Sequence, residues 1–120
     1  MFINGYTKES AMEKIKKYNT GFPARNSTNG ECRYLAVDED FKENRCVAGC
    51  FIPDGHPALE FEGAIGLVME RYPELAGCMP VDPKSMSQFQ DRHDRLGYEG
   101  DVHFMAREFF SEQEKQTCQT

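Results

Sequence analysis

The chain has 120 residues, nine Phe and five Tyr, and a hydrophobic fraction of 39%, which is enough to bury a core without a metal or a disulfide framework. Its formal net charge is −6, unevenly spread: residues 1–30 carry five Lys/Arg against two acids, and the remainder nine against eighteen. An acidic body repels phosphates and argues against direct nucleic-acid binding, and no window approaches the roughly 18 apolar residues of a membrane span.

The N-terminal stretch Met1 to Tyr6 lacks the basic and apolar regions of a signal peptide, so a cytoplasmic location is expected. In that compartment five cysteines, at 32, 46, 50, 78 and 118, read as buried apolar side chains rather than as a disulfide framework. Composition predicts one domain over 1–120, with no repeat and no linker.

In chain order, residues 7–18 predict a helix. Thr7 or Ser10 can cap it, Ser10 and Glu13 fit a capping box, and Ala11, Met12, Ile15 and Tyr18 share a face. Its lysines (Lys8, Lys14, Lys16, Lys17) read as a solvated surface. A Gly-, Pro- and Asn-rich loop follows over 19–31, long enough to suggest a role of its own; its Asn26-Ser27-Thr28 sequon has no meaning in a cytoplasmic protein. Residues 32–37 predict a strand, 38–44 a polar connection and 45–52 a returning strand, paired as an antiparallel hairpin. Gly49 inside the second strand marks a bulge or a close backbone approach.

Three helices are predicted after the hairpin, over about 57–71, 83–96 and 102–114. Pro57 suits the first turn of the first. Leu59, Ala64, Leu67 and Val68 would be its buried stripe, with Gly63 and Gly66 allowing close packing. Asp82 and Asp101 are candidate caps for the other two, and Gly97 would stop the second. Phe104, Met105 and Phe109 read as core in the last. The expected fold is therefore α+β: a two-stranded antiparallel hairpin packed against about four helices, in the order α-ββ-α-α-α.

Cys32-Arg33-Tyr34, then Cys46-Val47-Ala48-Gly49-Cys50-Phe51-Ile52-Pro53-Asp54, then Glu62-Gly63 and Phe89-Gln90-Asp91-Arg92-His93-Asp94, follow one another in a pattern. It resembles a family of small proteins from bacteria and their phages. That family carries a Cys-x-Tyr strand, a Cys-Ala-Ile-Gly-x-Leu-Ile-Pro-Asp segment, a Glu-Gly and a Leu-Gln-x-x-His-Asp helix. The match spans about residues 32–94. This chain departs from it in a longer acidic turn over 38–44 and in Phe for Leu at 51 and 89. The resemblance implies a mobile-element origin and a bacterial host cytoplasm, but no reaction and no cofactor.

Four constellations carry candidate chemistry. Cys32, Cys46, Cys50 and His56 are a zinc-type donor set, although Cys46 and Cys50 on one strand would stand about 13 Å apart; no bound metal is expected. Cys46 or Cys50 with His93 and Asp94 has the composition of a thiol, a base and an orienting acid. Neighbouring side chains on a helix diverge by about 100°, however, so His93 is expected instead to lock its helix to the hairpin. One His-Asp pair falls short of a metal phosphohydrolase site. Asp54-Gly55-His56 with Glu60 or Glu62 forms either a polar pocket or a turn in which Asp54 caps the next helix.

These readings assign no catalytic residue. They expect a non-enzymatic binding protein whose partner is a host protein with a basic surface, a defence component of the kind targeted by anti-CRISPR proteins among them, met by acidic Glu108, Glu112 and Glu114. The alternative is a small-molecule or nucleotide binder, or a small enzyme, with a pocket between the hairpin and the His93 helix. Its lining would be Tyr34, Asp54, His56, Glu62, Gln90, His93 and Asp94. A homo-oligomer is compatible with both.

Overall fold

A computed structural model describes residues 1–25, 33–37, 42–61, 63–97 and 100–118, with 117 and 118 described by backbone only. Cys32 and Glu62, the sequon and most of the acidic turn lie outside the described residues.

Helix α1, Lys8–Tyr18, begins where Thr7 accepts the Ser10 amide while the Ser10 hydroxyl accepts the Thr7 amide. The capping box is thus Thr7/Ser10 rather than the expected Ser10/Glu13 pair. Ala11, Met12 and Ile15 are buried on one face, and Tyr18 is half-buried. The hairpin is short. Strand β1, Leu35–Val37, pairs antiparallel with β2, Glu43–Arg45, with Ala36 opposite Asn44.

The expected second strand over 45–52 is a correction. Only Arg45 of that range is strand. The chain then turns through Val47 and Ala48 into a 3-10 helix, Gly49–Phe51. Gly49 explains why: a Cβ there would stand 2.2 Å from the Tyr34 carbonyl oxygen, so the backbones touch and only glycine fits. The close approach read from the sequence is present, but it bends the chain out of the sheet.

The helix expected over 57–71 is two pieces, a 3-10 helix Pro57–Glu60 and helix α2, Ile65–Arg71. Gly63, at φ 142°, breaks it in a conformation that a side chain would strain. The break shifts the phase of the apolar stripe. Ile65, Val68 and Met69 are buried, whereas Leu67 is 55% exposed. A further 3-10 segment, Pro73–Cys78, leads to α3, Pro83–Asp94, capped by Asp82, which accepts the Ser85 amide at 2.7 Å. Helix α4, Val102–Cys118, is capped by Asp101, which accepts the Phe104 amide at 2.9 Å.

Helix α1 packs on α4 and on the 49–51 turn, and α3 packs between α2 and α4. An aromatic cluster joins these layers. Phe89 of α3 stacks on Phe109 at 4.3 Å, and Phe110 sits edge-on to Phe89 and Phe51. Val102, Ala106, Phe109 and Phe110 form the buried stripe of α4 at helical spacing. Phe104, expected in that core, falls on the opposite face and is 57% exposed. The α+β class and the order α, hairpin, α, α, α hold. Among the described residues no helix is long and apolar enough to cross a membrane.

Candidate functional site

Where the hairpin meets α3, the polar residues of the pattern converge. Gln90 and His93 project from the inner face of α3 and are buried. The Gln90 side-chain oxygen accepts the Ala48 amide at 3.1 Å, and its nitrogen donates to Asp94 Oδ1 at 2.9 Å. His93 Nε2 accepts the Ala24 amide at 3.1 Å, which leaves the ring proton on Nδ1, 2.9 Å from Asp94 Oδ1. Asp94 was expected to diverge from its neighbour. It is the last residue of α3, where its carboxylate folds back and accepts from both His93 and Gln90. The lock expected between His93 and the hairpin is therefore a correction: His93 ties α3 to the 19–25 loop, while Gln90 reaches the turn that follows β2.

Cys46 lies inside this cluster. Burial pushes its thiol up to about 12, against weaker opposing hydrogen bonds from Gly49, Ala48 and Gln90. Burial also raises Cys50 well above the ordinary thiol value, and the neighbouring Cys46 adds to it. Tyr34 is raised chiefly by burial, then by the charges of Cys46 and Asp94, and its hydroxyl donates to the Gly63 carbonyl at 2.6 Å. A nucleophilic thiol needs the opposite shift. The His93 nitrogen that would take its proton already holds a backbone amide, so these groups are not a thiol–imidazole pair.

Cys46 and Cys50 lie on one helical turn, the Cys50 amide donating to the Cys46 carbonyl at 3.1 Å. The 13 Å separation expected of strand residues therefore does not apply. His56 is turned elsewhere. Among the described residues no group of three or more His, Cys, Asp and Glu is arranged to hold a metal ion.

A groove of about 660 Å³ opens on another face, between the C-terminal end of α1, the hairpin and the 54–60 segment. Leu35, Leu59, Pro57 and the Tyr18 ring supply apolar walls, and Glu43, Asp54 and Glu60 supply carboxylates. Arg45 organises it. Its buried guanidinium lies 4.3 Å from the Tyr18 ring centroid, donates to the Gly49 and Ile52 carbonyls at 3.3 and 3.0 Å, and pairs with Asp54 at 2.5 Å. The fork geometry of arginine lets one side chain satisfy the end of the 3-10 turn and orient a groove carboxylate together.

His56 is the cap of the Pro57–Glu60 segment, its Nδ1 accepting the Ala58 amide at 3.0 Å. Its Nε2 stands 3.0 Å from Glu74, and its ring sits edge-on to Tyr72 at 4.9 Å. The Glu74 carboxyl is held below its ordinary value by its own backbone amide and then by His56. Asp54 thus pairs with Arg45, and the cap expected of it comes from His56.

The structure brings Asp54 and His56 to the groove with Glu60, and Tyr34, Gln90, His93 and Asp94 to the separate buried cluster. On α4, Glu112 accepts Arg92 of α3 at 2.9 Å. Glu108 lies one turn before it on the same face, whereas Glu114 is about 200° away, so the three carboxylates do not form one patch. Sequence reasoning missed Tyr18, Leu35, Glu43 and Arg45 as groove residues. Arg45 carried a faint signal, a cation at the mouth of a turn with Asp54 nine residues on; Tyr18 carried none. Comparison with family models, with curated proteins and with solved structures gives no match for this chain, so its residues are read on their geometry.

Proposed function

We propose that this chain is a non-enzymatic binding protein that docks on a partner protein through the Tyr18–Arg45–Glu60 groove. The resemblance to small phage and bacterial proteins sets the expected partner as a host component, a defence protein of the anti-CRISPR target class among the candidates. The observation that carries the reading is the occupation of the chemically capable groups. His93 and His56 each hold a backbone amide, and the Cys46 and Cys50 thiols are buried with raised pKa, while the groove remains open and mixed in character.

The second reading, a small-molecule or nucleotide binder, draws on the groove's volume, which falls in the range of about 300–1,000 Å³ that such ligands occupy. The two separate in one pair of assays. A displayed random-peptide library panned on the protein is expected to yield binders that are lost in Tyr18→Ala and Glu60→Lys. A melting-temperature screen against nucleotides and metabolites is expected to be flat. A ligand that raises the melting point in the second assay, with no peptide recovered in the first, overturns the reading in favour of the second.

A further inference from the structure

The 660 Å³ groove does not end at Tyr18. Tyr18 also lines a second, smaller cavity of about 220 Å³, together with Tyr6, Lys14, Phe51, Ile52, Pro53 and Cys78. Pro53 borders the smaller compartment and Asp54, the next residue, the larger, so the two compartments are neighbours along the surface, and we treat them as one furrow. Their chemistry differs. The smaller is walled by aromatic and aliphatic groups with one cation, Lys14. The larger has Glu43, Asp54 and Glu60. Arg45, the Lys or Arg in its lining, is already joined to Asp54 and two carbonyls, which leaves the charges of Glu43 and Glu60 facing outward.

We propose that the furrow takes an extended basic segment of the partner, an inference that rests on the partner-binding reading above and names its chemistry. An Arg or Lys side chain of that segment enters the larger compartment, its methylene stem against Leu35, Leu59 and Tyr18 and its charge toward Glu43 and Glu60. A neighbouring apolar side chain enters the smaller compartment against Phe51 and Pro53. Lys14 repels a cation there, so the order of the two anchors sets the direction of the bound chain. An extended chain suits two adjacent stations because its side chains recur on one face every second residue. The net charge of −6 adds attraction at longer range.

The test is an NMR titration of the ¹⁵N-labelled protein with decapeptides that carry one Arg and one Leu. The two are set at separations of zero to four residues in both orders, in a Ser/Gly background. A parallel set carries Glu in place of Arg. At least one Arg peptide is expected to shift the amides of Tyr18, Leu35 and Leu59, with preference for one order. Its affinity is expected to fall tenfold or more in the double variant Glu43→Lys/Glu60→Lys, and that variant is expected to favour the Glu peptide. Both substituted residues are exposed, so an unchanged spectrum of the free variant verifies its fold.

Equal binding of the Arg and Glu sets, or indifference to the double reversal, overturns the inference. Panned peptides that occupy the groove without a basic residue overturn it while leaving the partner-binding reading in place. If no peptide of either kind binds, both fall.

Discussion

Single residues here are defined less by their type than by what surrounds them. Cys46 is the clearest case. Its thiol is buried, and burial raises it to about 12. The unfolded chain ionises that thiol near its ordinary value, about 8.5–9. A folded value raised above the unfolded one contributes stability that is complete below the unfolded value and is lost as pH rises toward 12. Denaturant unfolding is therefore expected to show about 1–2 kcal/mol lower stability at pH 10 than at pH 8 from this residue alone. The Cys46→Ala variant is expected to show a smaller drop across the same interval; an identical drop would exclude Cys46 as its source. Peptide-resolved thiol labelling at pH 8 is expected to modify half-buried Cys78 in the native protein, and Cys46 and Cys50 only on unfolding.

Among the elements, the helix starts follow local rules closely. Asp82 caps α3, and its carboxyl is lowered first by the Ser85 amide and then by the Ser85 hydroxyl. A folded value lowered below the unfolded one contributes stability present above the ordinary carboxylate range and lost as pH falls through the lowered value. Asp82→Ala is expected to cost about 1 kcal/mol at pH 7, and Asp82→Asn less, because asparagine keeps the capping oxygen and loses only the charge. The gap between wild type and Asp82→Ala, read from thermal unfolding, is expected to narrow as pH falls below about 4. A gap independent of pH would mean that the carboxylate charge is not what stabilises the cap.

Across the whole molecule, His93 is the rivet. It holds the 19–25 loop through the Ala24 amide and, through Asp94, is joined to Gln90, which accepts the Ala48 amide in the turn after β2. The same loop reaches α4, where the Val102 amide donates to the Gly21 carbonyl and His103 lies 2.9 Å from the Asn19 carbonyl. His93→Leu leaves the Ala24 amide buried without its acceptor and frees Asp94 from one partner. The expected loss is about 2–4 kcal/mol in denaturant unfolding. Hydrogen exchange is expected to show the Ala24 amide losing more protection than the α4 core. Uniform loss of protection would make His93 a packing residue only.

The sequence by itself determined what depends on near neighbours. Thr7, Asp82 and Asp101 cap helices because each carries an oxygen placed to accept an amide two or three residues on. Ala11, Met12 and Ile15 are buried because helical spacing puts them on one face. Gly49 marked a close approach, whereas the hairpin lock expected of His93 is made to the Ala24 amide instead. Only the tertiary structure decided the rest. Whether Gly49 lies in a strand or leaves it depends on the Tyr34 carbonyl fifteen residues away. Whether Leu67 or Met69 is buried depends on a helix break at Gly63. Asp54 and His56 were legible as a polar turn. The groove they border needs Tyr18 from α1 and Arg45 from β2, brought together by long-range packing that no local pattern encodes.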